Sequence, residues 1–284
     1  MRPIFFPEDC WLGKTLEVSS PPSVWKLTEK IIEESEVISR KDMQELDCVP
    51  YARAEFKCCN TSNPDQQALI IIYLQLPAEE SMYLSPSMRR REATDREVEE
   101  FDQLVKAYKC LQLHGCDFTP QFLGSSHERQ DDDGLVPGGF LSCVIFTLVP
   151  GDFLGTGTVG CDFGGSGTPC VVLSLSQEDQ KRCRETSIPD GMFWTLSAEE
   201  RAVIRQQFES AFTILFNIGV DVWWGDLDNL SWDRRMQKLY FFGQFYLAEE
   251  RPTWPKKDEL LSWGLALSPI KPQGVECDES ELIL

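Results

Sequence analysis

Two histidines, His114 and His127, are the only imidazoles in 284 residues. A zinc site would therefore have to be built almost wholly from cysteine, and the adjacent Cys58-Cys59 is not ligand spacing. A Ser-His-Asp or Cys-His catalytic site would have to use one of the same two residues, and neither stands near a nucleophile-like turn. Both read as loop or surface residues.

Long apolar runs are missing as well. No stretch reaches the roughly 18 to 20 apolar residues of a membrane span, and Met1 to Asp9 has neither the apolar core nor the cleavage site of a secretory leader. Basic charge is scarce: 27 Lys and Arg stand against 46 Asp and Glu, a net charge of −19. Nucleic acid and anionic membrane call for clustered cations, so neither is an expected partner. The 11 cysteines are odd in number, scattered and without C-x-x-C pairs. They read as reduced thiols of an acidic, cytoplasmic protein, not as a disulfide scaffold.

What is present begins with Ser23 to Ser39, where Trp25, Leu27, Ile31 and Ile32 among Glu and Lys predict an amphipathic helix entered through Pro21-Pro22. Tyr51 to Cys59 and Ala68 to Leu76 read as strands joined by the loop cluster Asn60 to Asp65, hence a hairpin. The second is the most strand-like run in the chain and is expected in the centre of a sheet. Ser81 to Arg91 reads as a mobile basic connection. Thr94-x-x-Glu97 has the form of a capping box opening a helix with Val98, Phe101, Val105 and Tyr108, ending near His114-Gly115. Gly139 to Gly151 predicts another strong strand, closing in Val149-Pro150-Gly151. Ser197-x-x-Glu200 is a second capping box, and its helix carries Ile204, Phe208, Ala211, Leu215 and Ile218 along one face up to Gly219.

That helix feeds a polar loop with Asp226, Asp228 and Asn229, followed by two short apolar runs, Leu230 to Trp232 and Leu239 to Phe242. One reading is a plain turn, because Asp and Asn side chains satisfy local backbone donors. The other is phosphoryl transfer, in which one carboxylate orients a hydroxyl and a neighbouring group holds Mg²⁺. A short helix over Glu259 to Leu267 and an acidic tail follow.

At Gly225-Asp226-Leu227 the chain resembles the protein-kinase-like superfamily, in particular the divergent kinase-like and aminoglycoside-phosphotransferase-like proteins of filamentous fungi. Leu-Ser-Trp-Asp after Asn229 suits the strand that follows that family's loop, and Phe118 to Gly124 is similar to its T-P-x-L-L-G segment. The resemblance implies an α+β, two-lobed protein-kinase-like fold with a small N-lobe sheet and a truncated, mainly helical C-lobe. Its expected divisions are an extension with a helix over 1–50, an N-lobe-like sheet and helix over 51–150, and a hinge and C-lobe over 151–284.

It also implies roles for particular residues. Asp226 would be the catalytic carboxylate, and Asn229 or Asp228 would hold the metal. Glu97 or Glu100 would be the helix glutamate, and adenine would lie against the backbone at Val149. ATP and Mg²⁺ are the implied cofactors; a nucleotide and a protein are the implied partners. Two family positions lack their charge: Ile71 stands where the phosphate-binding lysine belongs, and Gly243 where the second metal-binding aspartate belongs. The loop Asn60 to Gln67 contains no glycine to close over phosphates. These departures favour a catalytically degenerate, pseudokinase-type binding or scaffold module, with an active ATP/Mg-dependent phosphotransferase as the alternative.

Two motifs act as decoys. Gly155 to Gly160 is formally G-x-G-x-x-G and Asp162-Phe163-Gly164 is formally D-F-G. The first does not open a helical pattern, and the second precedes Asp226, the reverse of the family's order. Residues 155–190 read instead as an inserted segment whose composition suits translated non-coding sequence; a spliced transcript lacking it would support that origin.

Overall fold

A computed structural model describes residues 3–19, 21–96, 98–155, 191–223, 225–248 and 256–266. The chain forms two compact units, Met1–Gln112 with Gln121–Leu148, and Leu113–Pro120 with Val149–Leu284. Among the described residues no helix is long and apolar enough to cross a membrane.

The first unit is a six-stranded antiparallel sheet. Its strands are β1 (Thr15–Ser19), β2 (Pro22–Glu36), β3 (Tyr51–Asn60), β4 (Gln67–Gln75), β5 (Phe122–Arg129) and β6 (Phe140–Thr147), in the spatial order β1-β2-β3-β4-β6-β5. Strand β4 is central, as its Ala-Leu-Ile-Ile-Ile run predicts: β-branched side chains suit a pleated surface buried on both faces, and Ile70, Ile71 and Ile72 are all buried. One face of the sheet packs Ala52, Ala54, Phe56, Ile70, Ile72 and Ile145 against Phe5, Phe6 and Trp11, the last from the single-turn helix α1 (Glu8–Trp11). Burying a side chain of this size stabilises by about 1.5–3 kcal/mol. A short helix α2 (Arg40–Leu46), capped by Ser39, links β2 to β3.

Two expectations fail in this unit. Ser23 to Ser39 is not a helix, and residues 1–50 are not an extension: they supply β1 and the long strand β2, integral to the sheet. The competing pattern is period two. Trp25 and Leu27 are buried while Lys26 and Thr28 face out, and two register shifts against β3, at Leu27/Glu29 and Lys30/Ile32, break the alternation so that it mimics helical spacing. Pro21-Pro22 lies at the β1–β2 turn, where proline belongs at a strand's first residue.

Nor is Ser81 to Arg91 a mobile connection. It folds into a 3₁₀ turn at Glu79–Ser81, a one-turn helix α3 (Pro86–Arg89) and a second 3₁₀ turn at Arg90–Glu92. Glu92 pins it: its carboxylate accepts from the Ser81 hydroxyl, the Ala78 amide at 2.9 Å and the Arg40 guanidinium at 2.8 Å. Burial would raise the Glu92 pKa, but these donors outweigh it and hold the carboxyl below its ordinary value. Helix α4 (Glu99–Leu113) then lays Phe101, Leu104, Ala107, Tyr108 and Leu111 into the core.

In the second unit, helix α5 (Ala198–Asn217) starts where the sequence predicts, with the Ser197 hydroxyl accepting from the Glu200 amide at 3.2 Å. Its buried stripe of Ile204, Phe208, Ala211, Phe212 and Leu215 meets Phe241 and Trp263, with the Phe208 and Phe241 rings 5.3 Å apart. The described part of this unit is less helical than expected. Besides α5 and the short α6 (Lys256–Ser262) it holds two small sheets, one ordered β10-β9-β7 and one pairing β11 with β8. These strands are β7 (Asp152–Phe153), β8 (Val220–Val222), β9 (Leu230–Asp233), β10 (Lys238–Phe241) and β11 (Phe245–Leu247). The hairpin expected after the acidic loop is β9–β10.

Both decoy motifs, apart from Gly155, lie outside the described residues. The residues bounding 156–190 meet: a Cβ on Gly191 would stand 2.4 Å from the Gly155 Cα, and the Phe193 amide donates to the Leu154 carbonyl at 3.0 Å.

Candidate functional site

The acidic loop is assembled by its flanks. After α5 the chain makes β8, passes Trp223 and reaches Gly225, whose missing side chain lets the Trp263 indole lie against the backbone; a Cβ there would meet the ring at 2.2 Å. A 3₁₀ turn over Leu227–Asn229 follows, and Leu227 is buried beneath it. The turn closes on itself. Asn229 Oδ1 accepts from the Asp226 amide at 3.1 Å, Asp226 Oδ1 accepts from the Leu227 amide, and the Asn229 amide donates to the Asp226 carbonyl at 3.0 Å. This is a capping box, the local use of Asp and Asn that the turn reading describes.

Asp228 stands apart from that network, its side chain facing solvent. Partial loss of water at its carboxyl, and then the neighbouring Asp226, raise its pKa above the ordinary aspartate value. Strand β10 returns beside the loop, with the Phe242 amide donating to the Asn229 carbonyl at 3.0 Å. Gly243 follows with φ +122°, and a Cβ built on it would lie 2.6 Å from Asn229 Nδ2. The structure thus brings Asp226, Asp228, Asn229 and the Gly243 position together, with no carboxylate at the last.

Of the two glutamates expected near the start of the helix, only Glu100 is described. Glu97 lies outside the described residues. Glu100, on α4, accepts hydrogen bonds from the Tyr51 hydroxyl at 2.8 Å and the Tyr73 hydroxyl at 2.9 Å, and its carboxylate is 3.4 Å from Arg53 Nε. Arg53 is 6% exposed, and its Nη2 also binds Glu55 at 2.6 Å while Nη1 lies 3.6 Å from Glu34. Burial alone would weaken the Arg53 charge, but Tyr73, Glu55 and Glu100 outweigh it and hold the guanidinium above its ordinary pKa. Burial first, and then Glu100, raise the pKa of both Tyr51 and Tyr73.

Ile71 shares this face. In the β3–β4 register Arg53 stands opposite Tyr73 and Glu55 opposite Ile71, and residues two apart on a strand point the same way. Ile71 is therefore an apolar side chain, 5% exposed, next to an arginine already shared among three carboxylates. The sequence reading missed Arg53, Tyr51 and Tyr73. For Tyr51 and Arg53 the signal was the alternation in Tyr51-Ala-Arg-Ala-Glu-Phe-Lys57, which sets the polar residues of β3 on one face; Tyr73 follows from its register opposite Arg53.

Val149, half-buried, is the residue at which the second unit resumes after Leu148, and its neighbour Pro150 accepts from the Ser231 hydroxyl at 2.8 Å through its carbonyl. Glu100 belongs to the first unit, while Val149, Asp226, Asp228 and Asn229 belong to the second. Among the described residues no three His, Cys, Asp or Glu side chains converge as a metal-ligand set.

No protein-family model matches the sequence, and no curated protein matches it. Among solved structures the chain is similar to vaccinia related kinase 3, at 12% identity and TM-score 0.35 over 82% of this chain and 51% of that one. It is also similar to the Cydia pomonella granulovirus kinase PK-1, at 13% identity and TM-score 0.35 over 81% and 55%. The chain spans about half the length of these two kinases.

Proposed function

We propose that the chain is a kinase-like module that acts by binding and has lost the means of phosphoryl transfer. The order of its elements supports the kinase-like part: strands β2-β3-β4-β6-β5 with α4 between β4 and β5, then Val149-Pro150, a long helix, an acidic loop and a hairpin. The observation that carries the loss is Gly243 backed against the Asn229 amide. A second metal-binding carboxylate has neither a side chain nor room there, and the Asn229 oxygen is already bonded to the Asp226 amide.

The implied cofactors fit these residues poorly. Mg²⁺ takes near-octahedral oxygen ligation, and the loop offers the outer oxygen of Asp226 and the carboxylate of Asp228. A triphosphate needs cations, and on the Ile71 face Arg53 is engaged by Glu34, Glu55 and Glu100. Charge-stabilising groups of this kind are worth orders of magnitude in rate.

One observation favours an active phosphotransferase as the second reading. It is the adjacency of the exposed Asp228 to Asp226 in one turn: loss of water first, and then the neighbouring carboxylate, raise the Asp228 pKa, and a cation bound there would relieve the repulsion, with Asp226 then orienting the hydroxyl. Thermal shift with ATP or ADP, with and without Mg²⁺, separates the two. The binding-module reading expects no metal-dependent rise in melting temperature; a rise abolished by Asp228→Ala, which leaves the capping box intact, would establish the alternative.

A further inference from the structure

Among the described residues, strand β2 is longer than the backbone that pairs along its outer edge. Strand β1 pairs Pro22 to Lys26, and the backbone of Gly13 and Lys14 bonds Leu27. From Thr28 to Glu36, roughly 30 Å of strand, its only strand partner among the described residues is β3 on the opposite side. Such an edge presents a row of backbone donors and acceptors to any extended chain.

Natural edges are guarded by bulges and charge, and β2 has both. The guard is uneven. Ile31 and Ile32, in the middle of the open stretch, are 49% and 43% exposed. The one lysine there is withdrawn: Lys30 is half-buried, donates to the Phe6 carbonyl at 2.9 Å and pairs with Glu33 at 3.1 Å, while Glu33 also accepts from the Phe5 amide. The exposed charges left on the open stretch are Glu29, Glu34 and Glu36, all negative. Glu29 meets Lys57 at 2.9 Å. Ile32, Glu34 and Glu36 stand opposite Glu55, Arg53 and Tyr51, which puts them on one face at alternate positions.

We propose that this edge takes up an extended basic segment of a partner protein as an added strand, with an apolar side chain beside Ile32 and Lys or Arg beside Glu34 and Glu36. Main-chain hydrogen bonds would supply affinity and the alternating side chains specificity. A second copy of the chain fits worse, because pairing edge to edge would set Glu34 and Glu36 near their own equivalents in a chain of net charge −19. The proposal is independent of whether nucleotide binds.

The test uses a fluorescein-labelled peptide KTKTVTKTK, which reads alike in either strand direction, against its isomer KKKKVTTTT. Anisotropy is expected to give at least tenfold tighter binding for the alternating peptide, and amide exchange over Thr28 to Glu36 should slow in its presence. Ile32→Lys should weaken binding at least tenfold with an unchanged melting temperature. Glu36→Gln should weaken it too, without touching the Glu34–Arg53 pair. Equal affinity for the two isomers, unchanged exchange over 28–36, or a dimer by light scattering that the peptide cannot dissociate would each overturn the proposal.

Discussion

Gly243 and Asn229 exclude a side chain between them: the Gly243 Cα backs onto the Asn229 amide so closely that a Cβ would come within 2.6 Å of Nδ2. Position 243 is thus uncharged, and the Asn229 side chain backs directly onto it. With φ at +122° the backbone there also disfavours any side chain.

Placing an aspartate at position 243 is therefore expected to damage the fold without conferring metal binding. Gly243→Ala should cost about 1–3 kcal/mol from backbone strain, and Gly243→Asp no less. Urea unfolding monitored by far-UV circular dichroism measures both, and a Gly243→Asp protein as stable as the parent would show that Asn229 yields.

The Arg53–Glu100 relationship predicts a loss that a second change repairs. Arg53→Met leaves the half-buried carboxylates of Glu55 and Glu100 without their cation, a loss expected at or below the low end of the about 3–5 kcal/mol typical of a broken buried pair. Adding Glu100→Gln should recover part of that loss, since it removes one uncompensated charge while the amide oxygen accepts from one tyrosine hydroxyl and the amide nitrogen donates to the other. Additive losses in the double-mutant cycle would mean the pair is not coupled.

Asp228 gives a pH dependence with a definite sign. Its folded pKa lies above the ordinary value of 3.8, so between those two values the folded state holds more protons than the unfolded chain. Its contribution to stability is then most favourable at low pH and is lost as pH rises through the folded value. Asp228→Asn should accordingly raise the melting temperature slightly at pH 7 and leave it unchanged at pH 3. The opposite order would assign the carboxylate a stabilising role.

The meeting of Gly155 and Gly191 predicts that the chain closes without what lies between them. A protein in which two glycines replace residues 156–190 should fold with a melting temperature within a few degrees of the parent, because Leu154 and Phe193 are already joined by a backbone hydrogen bond. Loss of cooperative unfolding on deletion would contradict this.

Much of the core was legible because its signals are local. The capping serine at 197, the stripe from Ile204 to Leu215 and the isoleucine run of β4 each declare their element within a few residues. Strand β2 was misread because its bulges disturb the alternation that distinguishes a strand. The loop at Asp226 and Asn229 was readable as a turn whose side chains satisfy local backbone donors, and the structure specifies that turn as a capping box. Arg53 and its three carboxylates were not, since the β2–β3 register brings Glu34, the β3–β4 register Tyr73 and the packing of α4 Glu100 to it. The contact of Gly243 with Asn229 likewise depends on how β10 returns past the loop.

The central claim, that the groups needed to grip a metal–triphosphate are gone, is tested most directly by calorimetric titration of ATP into the protein with and without Mg²⁺. The account predicts no Mg²⁺-dependent heat of binding. Saturable binding that requires Mg²⁺ and disappears in Asp228→Ala would contradict it.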